Sequence, residues 1–283
     1  MTTIHLASVK PLKNSKFWLL GTGAGLIAIQ LTLSWHNDQI NMFTTSVLFW
    51  FAVCSLVWEK RNTLSLKTGV ISSLVGTLII AAVLLKSTNS SGNFYYISPF
   101  TSAVGLALLA SGFKGLKQYW QELLILFFLG VPQLILSSLV DISELTAKFA
   151  TVVLSYFGFE ISRQGVYITL ATGAVEVNPQ CSGIQNILQL CSIAVLFLVM
   201  FPIDWKKKVL VPIVAICLGF MINGVRVALM ALLVAYSSQA NFEYWHKGDG
   251  SQIFALISAL TFGLFCFLML RLDEIKDQES VKF

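Results

Sequence analysis

The sequence predicts an all-α polytopic membrane protein of about eight transmembrane helices, with a small outer segment made of an amphipathic helix and short strand-like runs. Three observations carry this. Hydrophobic side chains make up 56% of the 283 residues and charged ones only 12%, where a soluble domain has about 25% charged; the mean hydropathy is +0.76. The charges are spaced so that several apolar runs of about 18 or more residues survive, each long enough to cross a hydrocarbon core of about 30 Å as a helix. The basic residues also alternate from loop to loop, as the positive-inside rule requires. A single integral membrane domain over residues 1–283 is expected.

The first apolar run, Phe17 to Trp35, follows a basic tail. It is longer than a signal-peptide core and lacks a small-residue cleavage site, so it reads as a retained first helix. Gly21-Thr-Gly-Ala-Gly25 within it superficially resembles a dinucleotide loop, but no strand precedes it, and close helix packing is the reading. Further spans fall at 41–58, 68–86, 97–113, 119–140, 183–202, 209–236 and 252–270. Between the third and fourth, Ser87 to Asn93 is an ordinary polar loop, and no internal repeat is visible.

With the N-terminus inside, the inner segments hold Lys10, Lys13, Lys16, Lys60, Arg61, Lys67, Lys114, Lys117, Lys206, Lys207, Lys208, Arg271, Lys276 and Lys282, which is 14 of the 19 basic residues. The outer segments hold only Lys86, Lys148, Arg163 and Lys247, and Arg226 is left inside a span. Both termini are therefore expected in the cytoplasm. The net charge of +5 is spread over short loops rather than gathered in one patch, so it reports topology and not a nucleic-acid partner.

The longest stretch outside the spans, residues 141–180, falls on the outer face. Ile142, Leu145, Phe149, Val152, Val153 and Tyr156 recur at helical spacing, predicting an amphipathic helix on the membrane surface. The period then changes. Phe159–Arg163, Val166–Ala171 and Ala174–Val177 are rich in β-branched residues and broken at Gln164-Gly165 and Thr172-Gly173, as small strands would be.

Five cysteines are present, and Cys54, Cys191, Cys217 and Cys266 lie in apolar runs as small buried hydrophobes. Neither a disulfide framework nor zinc-ligand spacing is evident. Cys181 differs, in Asn178-Pro179-Gln180-Cys181-Ser182-Gly183 at the start of the sixth span, on the outer side. Unpaired N–H groups and the helix dipole there favour a thiolate, although a structural cysteine at a helix start fits the same local context. Arg226 lies in the seventh span, about 17 residues or roughly 26 Å from its inner end, and so reaches the outer third of the bilayer; an intramembrane arginine is costly and marks a function unless it snorkels or pairs structurally. His246 lies in the outer loop before the eighth span, whereas His5 and His36 occupy a tail and a short loop where a solvated imidazole is the default. Topology thus brings Cys181, Arg226 and His246 to one side of the membrane independently.

Taken in order and spacing, Cys181-Ser182-Gly183-Ile184, Asn223-Gly224-Val225-Arg226 and the later His246 resemble the exosortase and archaeosortase family of membrane-embedded sorting enzymes, in particular its cyanobacterial exosortase branch. The resemblance runs from about Leu154 to Leu270, with the site region at 181–270. It implies a cysteine peptidase or transpeptidase of the bacterial inner (plasma) membrane, with its site on the periplasmic side. The substrates implied are exported proteins bearing a C-terminal sorting signal: a Pro-Glu-Pro-like motif, a transmembrane helix and a basic tail. Cys181 would be the nucleophile, His246 the general acid or base, and Arg226 the stabiliser of the oxyanion or the orienter of substrate. Asn223, one turn before Arg226, would steady its guanidinium, with Ser182 and Gly183 completing the nucleophile turn. Water, or an amine on a glycan or lipid, would resolve the thioester, and no metal or organic cofactor is needed. The outer carboxylates Asp249, Glu243, Glu160 and Glu176 read as solvated surface groups. A transporter using Arg226 as a substrate-binding charge would be expected to show repeats and broken helices, and a non-catalytic envelope-assembly protein would tolerate loss of Cys181.

Overall fold

The structure, a computed structural model, describes residues 15–37, 39–88 and 92–280. His5, Lys10, Lys13 and Lys282 lie outside the described residues, as does part of the Ser87–Asn93 loop. The apolar runs become helix, even across Pro99, Pro132 and Pro212, because in lipid a backbone must satisfy its own N–H and C=O groups. The contacts group the chain into two compact units, Met1–Gly130 and Val131–Phe283.

The first unit is helical. It contains α1 (Ser15–His36), α2 (Ile40–Glu59), α3 (Val70–Ser87), α4 (Phe94–Gly115), a 3-10 turn at Leu116–Tyr119, and the first half of α5 (Trp120–Leu139). Gly76 on α3 faces Gly105 on α4 so closely that a Cβ on Gly76 would stand 2.8 Å from the Gly105 carbonyl oxygen, the close approach that small residues permit. Of the three glycines read as a packing motif on α1, only Gly23 meets a neighbour, Leu106; Gly21 and Gly25 face open space. The packing expectation therefore holds at one position of three. Polar groups inside this unit are tied to one another. The Gln30 amide donates to the hydroxyls of Ser34 and Ser46 and accepts from the Trp50 indole, and Lys60 pairs with the buried Glu122 at 2.8 Å.

The second unit carries the remaining elements. These are the end of α5, α6 (Ser143–Tyr156), three antiparallel strands β1 (Ser162–Gln164), β2 (Tyr167–Leu170) and β3 (Gly173–Glu176) in the order β1-β2-β3, then α7 (Ile184–Met200), α8 (Trp205–Tyr236), α9 (Gln239–His246) and α10 (Asp249–Ser280). Three strands overlap the three expected runs, although β1 starts three residues late and Gln164 and Gly173, expected as breaks, are in strands; Tyr167 stands opposite both Gln164 and Glu176. Ile168 and Leu170 on β2 turn inward and join Ala147, Ala150 and Leu154 of α6 and Val227, Ala228 and Ala231 of α8 in one core. A second core, of Leu190, Ala194, Val211, Ala215, Phe262 and Cys266, joins α7, α8 and α10.

Helix α6 forms as expected, and the stripe it turns to the protein is made largely of small residues. Thr146, Ala147, Ala150 and Leu154 are buried, while Leu145, Val152 and Tyr156 are exposed. The small residues win the protein-facing stripe because they allow close approach to α8, where a side chain on Gly224 would overlap the Phe149 ring.

Among the described residues, six helical segments are long and apolar enough to cross a membrane. Each of the eight expected spans coincides with a helix. Two of them, α4 and α5, share one 46-residue apolar segment, and α7 has 17 residues, just short of a full crossing; an eightfold count is therefore not what length and composition return. The shared segment bends sharply at Gly112, whose φ of 67° lies in the left-handed region. The chain is thus an all-α multi-pass membrane protein carrying a small strand element.

Candidate functional site

Strand β3 leads directly into the loop that carries Cys181. Asn178 closes this loop: both its backbone carbonyl, at 2.9 Å, and its side-chain oxygen, at 3.0 Å, accept from the Cys181 N–H. Ser182 donates its hydroxyl to the Pro179 carbonyl at 2.8 Å. Gly183 then turns the chain into α7 with φ 94°, a conformation that costs an L side chain roughly 1–2 kcal/mol. Space demands glycine as well, since a Cβ here would lie 2.5 Å from Asn223 Nδ2.

Asn223 does not serve Arg226 as the sequence suggested. Its buried amide donates to the Cys181 carbonyl at 3.0 Å. The i, i+3 relation to Arg226 puts both on nearby faces of α8, and the loop beside Gly183 comes close enough to accept from the Asn223 amide. Thr146 holds the next carbonyl, donating to Ser182 O at 2.6 Å.

Helix α9 presents the histidine. The sequence reading treated 241–250 as loop, but Ser238 caps a short helix by accepting from the Asn241 N–H, the usual reward for a serine at that position. Phe242 and His246 are four residues apart on this helix, so their rings share a face, stacked at a centroid distance of 4.9 Å and 25° between planes. The result is that His246 Nε2 lies 3.2 Å from Cys181 Sγ. Arg226 donates from its NH2 group to the backbone carbonyl of His246 at 2.9 Å, and its Nε is buried without a hydrogen-bond partner among the described residues. Cys181, Arg226 and His246 therefore meet in one place. No carboxylate among the described residues hydrogen-bonds His246, and Glu243 is held by Gln239.

The charges around the pair are cationic. Burial pushes the Cys181 thiol above its ordinary range, against the lowering pull of Arg226 and Lys247. Burial, Arg226 and Lys247 together push His246 below its ordinary range, against Glu243. The thiolate expected from a helix start is thus outweighed by desolvation, and the Cys181 N–H is already engaged by Asn178. At neutral pH the resting pair is a thiol and a neutral imidazole able to take its proton.

Thr146, Asn178 and Phe242 are site neighbours that sequence reasoning missed. Phe242 and Asn178 had readable signals, four residues before His246 and three before Cys181; Thr146 depends on long-range folding. At the far end of the same helices, Lys207 of α8 pairs with Asp273 of α10. The 19 residues from Lys207 to Arg226 span about 29 Å, so the site and this ion pair are separated by the thickness of a bilayer core.

Compared with known families, the chain matches the transmembrane exosortase model (Exosortase_EpsH) over residues 35–263. No curated protein and no solved structure matched it. The match covers most of the chain and all of Cys181, Asn223, Arg226 and His246: the chain belongs to the transmembrane exosortase family.

Proposed function

We propose that this protein is a membrane-embedded cysteine peptidase or transpeptidase that cleaves exported proteins at a C-terminal sorting signal, on the outer side of the bacterial inner membrane. The observation that carries this is the 3.2 Å contact between Cys181 Sγ and His246 Nε2, a nucleophile and base within reach of each other. The orientation is supported by the alternation of basic residues, and the substrate class follows from family membership.

In this reaction His246 Nε2 takes the thiol proton as Sγ bonds to the scissile carbonyl carbon. The tetrahedral intermediate collapses, the C–N bond breaks, and the leaving amine departs with the proton returned by His246. Water or an acceptor amine then gives its proton to His246 and attacks the thioester, which releases the acyl group and restores the thiol. Arg226 serves the oxyanion: its buried Nε has no hydrogen-bond partner among the described residues, and a guanidinium keeps its charge where a lysine would lose it.

The test is processing of a co-expressed protein bearing a C-terminal sorting helix, by the natural chain and by Cys181→Ala and Cys181→Ser. Shortening by the natural chain alone is expected. Equal shortening by all three would make the thiol structural and end the peptidase reading.

A further inference from the structure

Thr146 has no part in the chemistry above, yet it touches the loop that presents the nucleophile. It is fully buried on α6. Threonines within the helices commonly spend their hydroxyl on their own helix, as Thr151 does on the Ala147 carbonyl, Thr44 on Ile40 and Thr77 on Ser73, while Thr68 and Thr172, which reach the distant Leu108 and Ala235 carbonyls, lie outside helices. Thr146 instead donates at 2.6 Å to Ser182 O, 36 residues away. Its companions in the packed stripe, Ala147, Ala150 and Leu154, are apolar, and a buried hydroxyl among them is unfavourable unless its bond is made.

The loop it reaches has little regular structure of its own. Successive carbonyls are held from two helices, Cys181 O by Asn223 of α8 and Ser182 O by Thr146 of α6. Between them these two donors fix the peptide planes on either side of Ser182, and with them the direction in which the Cys181 side chain leaves the backbone. Rotation of the Ser182 carbonyl would turn the neighbouring plane and carry Sγ out of reach of Nε2.

We infer that Thr146 is a positioning residue for Cys181, its hydrogen bond to Ser182 O holding the loop so that the thiol meets His246; this rests on the thiol–imidazole reading of the site. The experiment uses the full chain in detergent and needs no substrate. Alkylation of Cys181 by iodoacetamide at neutral pH is followed on the Cys181 peptide by mass spectrometry, with thermal unfolding of the same preparation as the control for folding. Thr146→Val should slow Cys181 by at least about tenfold, and Thr146→Ser should restore most of the rate. In a His246→Ala background Thr146→Val should add no further loss, because the base it aligns is gone. Should the valine variant fail to fold, seen as loss of the natural chain's thermal unfolding transition, Thr146→Ala is read by the same criteria.

A natural rate in the variant lacking the hydroxyl, or an equal slowing with and without His246, overturns the inference. If His246→Ala alone leaves alkylation unchanged, the thiol–imidazole pair fails and this inference fails with it. Intact coupling in a chain that processes no substrate would uphold the inference and sink only the peptidase reading.

Discussion

Replacing Gly183 with alanine tests the construction of the nucleophile loop with two separable costs. The backbone at φ 94° charges any L residue roughly 1–2 kcal/mol. The added Cβ would also stand 2.5 Å from Asn223 Nδ2 and 2.7 Å from its Cγ, so the buried Asn223 must move and its bond to Cys181 O is lost, at about 1 kcal/mol. Together these destabilise the loop by roughly 2–3 kcal/mol, and displacement of the thiol from His246 should cut substrate processing by about a hundredfold. Thermal unfolding in detergent and processing of a co-expressed substrate read the two effects. In an Asn223→Ala background the contacts with Nδ2 and Cγ disappear and only the Cβ of residue 223, at 2.9 Å, still stands in the way, so Gly183→Ala should there cost the backbone strain and a smaller clash, less than in the natural chain. A Gly183→Ala chain that processes like the natural one, or an identical stability loss in both backgrounds, refutes the argument that Asn223 and Gly183 occupy one another's space.

Arg226→Lys should reduce processing by about 10²-fold or more, because an ammonium cannot reproduce the fork that bonds His246 O and leaves Nε for an oxyanion; kinetics on reconstituted protein check this. The protonation state with one proton on the Cys181–His246 pair lies between the two titrations. The acid limb of kcat/KM should therefore fall below the ordinary imidazole value of about 6.5, since His246 is depressed, and the alkaline limb above the ordinary thiol value, since Cys181 is raised. Lys247→Gln removes a positive charge that lowers both groups, so both limbs of the pH profile should move upward, by less at high salt. In the first unit, Lys60→Met should destabilise by about 3–5 kcal/mol by stranding Glu122, and adding Glu122→Leu should recover most of it, as measured by thermal unfolding.

Much of the fold could be read from the sequence because lipid leaves a backbone few choices: an apolar run of sufficient length must be helix, and all eight expected ranges fall on helices. The strands were legible from the switch to β-branched runs, and the three site residues from the cost of placing Arg226 in a span and a thiol at a helix start. Side-chain partnership was not legible. The packed face of α6 was decided by how closely α8 could approach, which favoured Thr146 and Ala147 over Leu145 and Val152. Asn223 bonds the Cys181 carbonyl because Gly183 lets the loop come within reach. The protonation of the thiol turned on burial, which outweighed the helix-start argument that the sequence supported. Hydrophobicity and charge act along the chain and so determined by themselves where the helices lie and which residues are candidates; hydrogen bonds and desolvation depend on atoms 36 to 65 residues apart, and only the tertiary structure decided those.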